Sequence, residues 1–169
     1  MEYFLKTDRL GLQKLTKQHI DLVKSVLQDK EIMFFSANGV KNDGEVKDYI
    51  IQSMSDSQEN KGQYAVYELS TGAFIGLAGY FSFLYEEDED LEINYRLLRN
   101  YRGRGYASEL AKKLADNALE KLRYQKVFGL VDQRNLASRK VLEKAEMQLL
   151  GEYYYHERKI LLYQKVKKP

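Results

Sequence analysis

The feature that most constrains this chain is a loop of alternating arginine and glycine, Arg102-Gly103-Arg104-Gly105, that runs straight into a long amphipathic helix. Beyond it Ala107, Leu110, Ala111, Leu114, Ala115, Ala118, Leu119 and Leu122 recur at i, i+3, i+4 and i+7, the spacing of one buried helix face. Gly103 and Gly105 can take backbone angles closed to other residues and leave room for a ligand beside the main chain. The first amides of a helix lack intrahelical partners, and with the helix dipole they form a site for an anion. Arg102 and Arg104 add positive charge next to it. The loop therefore predicts a bound phosphate or pyrophosphate. The plain alternative is a tight strand-to-helix turn with basic decoration.

Two common phosphate-binding loops do not fit. A dinucleotide fold wants Gly-x-Gly-x-x-Gly after its first strand, with an acid about twenty residues later. Here the third glycine is absent and the loop lies past the middle of the chain. A Walker loop needs Gly-Lys-Ser or Gly-Lys-Thr, and neither occurs.

Around the loop the hydrophobic pattern gives a mixed order of elements. A strand is predicted over residues 9–14, with Leu10 and Leu12 on one face. Thr16 can cap a helix carrying Ile20, Val23, Val26 and Leu27. Asn42 with Glu45 resembles a capping box opening a second helix, whose stripe is Val46, Tyr49, Ile50 and Met54. Strands follow over 64–69 and 74–84, the latter so continuously apolar that it reads as buried on both faces. The acidic run Glu86-Glu87-Asp88-Glu89-Asp90 reads as an exposed hairpin loop and not as a metal site. Residues 91–98 alternate as a strand. After the long helix, 127–131 is a short buried strand, Asn135 can cap a helix, and strands over 147–155 and 159–166 follow.

Composition narrows the function classes. The 169 residues suit one domain, and 44% hydrophobic with 31% charged residues is ordinary for a globular protein. A net charge of +2 gives no reason to expect a nucleic-acid or acidic-membrane partner. No cysteine is present, which excludes disulfides and thiolate chemistry. The opening residues have no leader-like pattern, and no apolar run is long enough to span a bilayer, so a cytoplasmic protein is expected.

The segment Arg102-Gly103-Arg104-Gly105-Tyr106-Ala107 matches the signature Arg/Gln-x-x-Gly-x-Gly/Ala, and on it the chain resembles the GNAT acyltransferase superfamily. Ser108-Glu109-Leu110 continues as that family's helix does. Thr7-Asp8-Arg9-Leu10-Gly11-Leu12 is similar to the opening of the branch containing ribosomal-protein N-terminal acetyltransferases (RimJ/RimL-like). Ile75-Gly76 and Glu92-Ile93 lie where that branch has its central strands. Asn135-Leu136-Ala137-Ser138, then Val141-Leu142-Glu143-Lys144, resembles its Asn-x-x-Ser helix.

The resemblance implies one acyl-CoA N-acyltransferase domain over 1–169. It would be an α+β fold with a mixed, largely antiparallel seven-stranded sheet, helices on both faces and two splayed central strands. Acetyl-CoA would wedge between those strands as cosubstrate, and no metal is implied. Backbone groups of Leu97 and Leu98 would bind the pantetheine arm, and amides of Gly103, Arg104, Gly105, Tyr106 and Ala107 the pyrophosphate. Arg102, Ser108, Asn135 and Ser138 complete the implied cofactor set, with Asn135 alternatively a plain helix cap. The activity implied is acetyl transfer to a primary amine, on a protein N-terminus or a small molecule, by direct attack. Ser138 is the implied acid, and Glu92 or Glu157 the base, with His156 a substitute for Glu157. Each could equally be a surface or capping residue.

There are departures. Glu146-Met147 stands where the family has Gly-Phe, and Leu142 where many members have a tyrosine that protonates the leaving thiolate. They leave open a non-catalytic CoA-binding sensor. An RNA- or DNA-binding module, suggested by the Arg-Gly repeat, fits less well, because such segments are disordered and strongly basic. Tyr80, Phe81, Phe83 and Tyr85, and Tyr153, Tyr154 and Tyr155, could line an acceptor pocket, or simply furnish the sheet. A monomer or a homodimer is compatible with the sequence.

Overall fold

The structure, a computed structural model, describes residues 2–155 and 157–169, without the side chains of Tyr153 and Tyr155. Twelve elements follow in chain order: β1 (Leu5–Lys6), β2 (Leu10–Lys14), α1 (Ile20–Leu27), α2 (Asp43–Asp56), β3 (Gln63–Glu68), β4 (Phe74–Tyr85), β5 (Asp88–Leu97), α3 (Tyr106–Glu120), β6 (Lys126–Asp132), α4 (Leu136–Lys144), β7 (Gln148–Tyr155) and β8 (Arg158–Val166). The strands form one sheet in the order β1-β2-β3-β4-β5-β6-β8-β7. Pairing is antiparallel for β1–β2, β2–β3, β3–β4, β6–β8 and β7–β8, and parallel for β5–β6. Among the described residues the parallel pairing is confined to Leu91–Val127 and Glu92–Phe128, so β5 and β6 part company beyond it.

The sheet has eight strands, not the expected seven. The extra strand is β1, only two residues long, which is too short to show a period of two in sequence. It is held because Thr7 Oγ1 accepts from the Leu10 amide, closing the turn into β2. The backbone amide of Phe4 also donates to the Leu12 carbonyl at 2.8 Å.

The chain divides into two compact units, Met1–Gly79 with Tyr95–Ala107, and Tyr80–Asn94 with Ser108–Pro169. In the first, Val23, Val26 and Leu27 of α1 and Val46 and Ile50 of α2 pack with Ala65, Tyr67 and Leu77 of the strands. Thr16 caps a 3-10 turn over Lys17–His19 that leads into α1. The Asn42–Glu45 capping box closes in both directions, at 2.9 and 3.0 Å. Gly76 lets β4 and β5 approach closely: a Cβ there would lie 2.1 Å from the Arg96 carbonyl oxygen. In the second unit Leu110, Ala111, Leu114, Ala115 and Ala118 of α3 are buried, as is Phe128 of β6. The Tyr80 hydroxyl donates to the Leu114 carbonyl at 2.6 Å and accepts from Asn117 Nδ2 at 3.1 Å.

Two expectations are corrected here. β4 is buried on both faces only over its first half. From Phe81 on it alternates between half-buried and exposed, and Leu84 is 70% exposed. The acidic run is not all loop either: β5 begins at Asp88, and Asp90 is buried, 3.8 Å from Lys126 Nζ. The strand carries Asp90 inward, where it meets a lysine, while Glu86, Glu87, Asp88 and Glu89 stay exposed. Burial raises the Asp90 carboxyl above its ordinary range, against the pull of Lys126. A raised folded-state value means that the ionised form costs stability at neutral pH, a cost that disappears as pH falls below the ordinary carboxylate range. Asp90 Oδ2 also lacks a hydrogen-bond partner. Asp90→Asn is therefore expected to stabilise the fold by about 1 kcal/mol at pH 7 and by less at pH 4, measured by urea denaturation at both values.

Candidate functional site

α3 begins at Tyr106, and the four residues before it are exposed. Gly103 and Gly105 have φ of +73° and +81°, in the left-handed region that costs other residues strain. Nothing lies within 4 Å of a Cβ placed on Gly103, so that side of the loop is open. The loop is thus a bare stretch of main chain at the positive end of a 15-residue helix.

Its arginines are not loose charges. Arg104 lies 3.7 Å from Glu68 Oε1 and over the Tyr101 ring at 5.1 Å. Arg102 lies 3.7 Å from Glu31 Oε1. Arg99 joins Asp29 at 3.1 Å and Glu31 at 2.9 Å. Asp29 can hold that position because its other oxygen accepts from the backbone amides of Glu31 and Ile32. Those bonds, that to Ile32 foremost, and Arg99 lower its carboxyl below the ordinary range.

Behind the loop sits a cluster that sequence reasoning missed. Glu68, at the end of β3, is buried, and its carboxylate accepts from the Tyr106 hydroxyl and, at 2.6 Å, from Thr71 Oγ1. The Arg9 guanidinium lies over the Tyr106 ring at 4.4 Å and donates to the Arg104 carbonyl at 3.0 Å. The Thr71 hydroxyl first, then Tyr106 and the two arginines, holds the Glu68 carboxyl below its ordinary range. The hydrogen bond to Glu68, with burial, pushes the Tyr106 phenol up.

Of the other expected cofactor residues in this unit, Leu97 is buried at the end of β5 and Leu98 follows it half-buried. The Leu98 amide donates to the Ile75 carbonyl at 2.8 Å, and its carbonyl accepts from Tyr101 at 3.0 Å. Ala107 lies in the first turn of α3, half-buried.

The second unit holds Ser108, Glu92, Asn135, Ser138 and Glu157. Ser108 is half-buried in the first turn of α3, and Glu92 half-buried in β5, in register with Phe128. Asn135 caps α4, accepting from the Ser138 amide at 3.2 Å. That bond uses only Oδ1. Glu157 occupies the β7–β8 turn with φ +64° and is exposed. It lines a hollow of about 280 Å³ with Asp132, Arg134 and Arg158. Asp132 is buried and clamps Arg134 through two bonds of 3.0 and 2.9 Å, which lower its carboxyl below the ordinary range. His156, the alternative base, and the side chains of Tyr153 and Tyr155 lie outside the described residues. No described helix is long and apolar enough to cross a membrane.

Comparison with known proteins supplies the family. The family model described as an acetyltransferase (GNAT) domain matches residues 9–148. The "uncharacterized N-acetyltransferase p20" of Bacillus licheniformis is 29% identical over 150 residues, covering 87% of this chain and 83% of the relative. Among solved structures, a GNAT-family acetyltransferase from Bacillus anthracis superposes with a TM-score of 0.83 at 18% identity, covering 96% and 97% of the two chains. Spermidine N-acetyltransferase from Vibrio cholerae, in complex with CoA and spermine, gives 0.79 at 14% identity over 94% and 96%. RimL, the ribosomal L7/L12 α-N-protein acetyltransferase, in complex with coenzyme A, gives 0.76 at 15% identity over 98% of both.

Proposed function

Because this chain belongs to the GNAT acetyltransferase family, we propose that it moves the acetyl group of acetyl-CoA to a primary amine, with residues 1–169 acting as one catalytic domain. The observation that carries the reading is the exposed Gly103–Gly105 main chain opening onto the N-terminus of α3. Unpartnered amides at a helix start suit a pyrophosphate, and CoA carries one. The neighbours crystallised with CoA or with CoA and spermine support the choice of cosubstrate and of an amine acceptor.

On this reading the amides of residues 103–107 hold the pyrophosphate, and Leu97 and Leu98 border the pantetheine arm. Asn135 keeps its Nδ2 for the same arm while Oδ1 caps α4. The neutral amine attacks the thioester carbonyl carbon, the C–S bond breaks, and an amide and CoA result. Glu92 or Glu157 takes the amine proton, and Ser138 returns a proton to the sulfur. Positioning of amine and thioester supplies most of the acceleration.

The test begins with binding. Acetyl-CoA at about a hundred times its Kd should stabilise the protein by roughly 2.7 kcal/mol, seen as a rise in melting temperature that ATP and NAD do not give. A screen of polyamines and N-terminal peptides should then release CoA thiol and give acetylated product by mass spectrometry. Tight binding without turnover over that panel would instead make the protein a CoA sensor. No shift at all would sink the loop assignment.

A further inference from the structure

We propose that Glu68 is a positioning residue for the anion-binding loop, acting on the start of α3 through the Tyr106 hydroxyl. The inference rests on the acetyl-CoA reading above and assigns a role to a residue that touches no part of the ligand. Three side chains from two stretches of chain meet at this carboxylate. Tyr106, the first residue of α3, donates to Oε1, while Thr71, in the β3–β4 turn, donates to Oε2 at 2.6 Å. Arg104, inside the loop, lies 3.7 Å from Oε1. From the other side Arg9, just before β2, covers the Tyr106 ring at 4.4 Å and holds the Arg104 carbonyl at 3.0 Å. Arg9 is itself placed by its own carbonyl, which accepts from the Leu69 amide at 2.8 Å, one residue past Glu68.

The consequence is geometric. Residues 104–106 are gripped on their inner side by side-chain bonds, whereas the outer side of the loop is bare. Two glycines at positive φ make a loop that could adopt many shapes, and the conformational entropy of fixing it must come from somewhere. A buried carboxylate with two hydroxyl donors and a guanidinium supplies that restraint before any ligand arrives. Pre-ordering of this kind lowers the cost of binding without adding a contact. Tyr106 is poised for the task, because its ring is buried while its hydroxyl meets a carboxylate kept ionised by its partners. Glu68 also balances Arg104, directing that guanidinium toward the back of the loop.

The experiment is a double-mutant cycle on CoA binding, read by calorimetry, with Glu68→Gln, Tyr106→Phe and the double variant. Tyr106→Phe keeps the buried ring, so a folded protein is expected even if Glu68→Gln melts early. Each single change is expected to raise the Kd for CoA about tenfold. The double variant is expected to be no weaker than either single one, because the two side chains act through one bond. With any acceptor that turns over, KM for acetyl-CoA should rise by the same factor while kcat at saturation stays within about twofold. A residue that only holds the fold together would lower the melting temperature and leave Kd and KM of the folded fraction unchanged. Wild type that binds CoA, with variants that bind it equally well, overturns the role of Glu68 alone. Losses that multiply to about a hundredfold in the double variant also overturn it, since the residues would then act separately. Wild type that does not bind CoA removes this inference together with the function it rests on.

Discussion

Gly105→Val is expected to cut kcat/KM for acetyl-CoA on the order of 100-fold, since a displacement of about 1 Å in a binding loop has effects of that size. Gly105 sits at φ +81°, where a β-branched residue is strained by about 1–2 kcal/mol. Its Cβ would also lie 3.4 Å from Arg9 Nη2, in tight but tolerable contact. The loop then has two ways to relieve the strain. It can rotate the peptide on either side of residue 105, or push Arg9 off the Arg104 carbonyl. Either one re-aims the amides at the helix start. The cost to global stability is modest, a fall in melting temperature of roughly 5 °C, so the loss of activity should greatly exceed any loss of folded protein. Unchanged Kd and kcat/KM in the folded variant would mean that these amides do not hold the cosubstrate.

Gly76→Ala is expected to act in the opposite way, through the fold. A Cβ there would stand 2.1 Å from the Arg96 carbonyl oxygen and 3.0 Å from Leu97 Cα. Both obstacles are main chain, so no side chain can swing aside. β4 and β5 would have to separate where the Leu98 amide bonds to the Ile75 carbonyl. The expected loss is about 3 kcal/mol, at the upper end of overpacking penalties, which corresponds to a melting temperature lower by roughly 6–12 °C. The same strain falls at the end of β5, so CoA affinity should weaken as well. Normal stability in urea would show that the two strands can shift apart at little cost.

The sequence was informative wherever a signal was local. Thr16 caps the 3-10 turn ahead of α1 and not α1 itself, whereas the Asn42–Glu45 pair and Asn135 cap the helices that they were expected to cap, because a cap is made between residues three apart. The stripe of α3 was legible for the same reason. β1 escaped notice because two residues carry no period, and Asp90 was misjudged because it belongs to β5 and not to the exposed loop that its acidic neighbours suggest. The cluster behind the loop was invisible for another reason. Tyr106 is 38 residues from Glu68, and Arg9 is 95 from Arg104. Neither separation leaves a pattern in a single sequence. Arg9 could be picked out as part of a motif, but nothing near Glu68 hinted that its carboxylate would matter. A backbone conformation, such as that of the glycine loop, can be read from residue type. Chemistry carried by side chains that meet across the fold cannot.

The strand order has a consequence for how the protein forms during synthesis. β8 follows β7 in the chain yet lies between β7 and β6, pairing with both along nearly its whole length. Until β8 has left the ribosome, β6 has no antiparallel neighbour and β7 has nothing to pair with at all. At about 5–20 residues per second, β6 waits a few seconds with that side unoccupied, offering Phe128 and Val131 to any chaperone within reach. β8, made after both β6 and β7, is thus the strand that closes the second unit. A ribosome stalled after residue 107 and before residue 158 would have made every segment of the first unit, while the second still lacks the strand that joins β6 to β7.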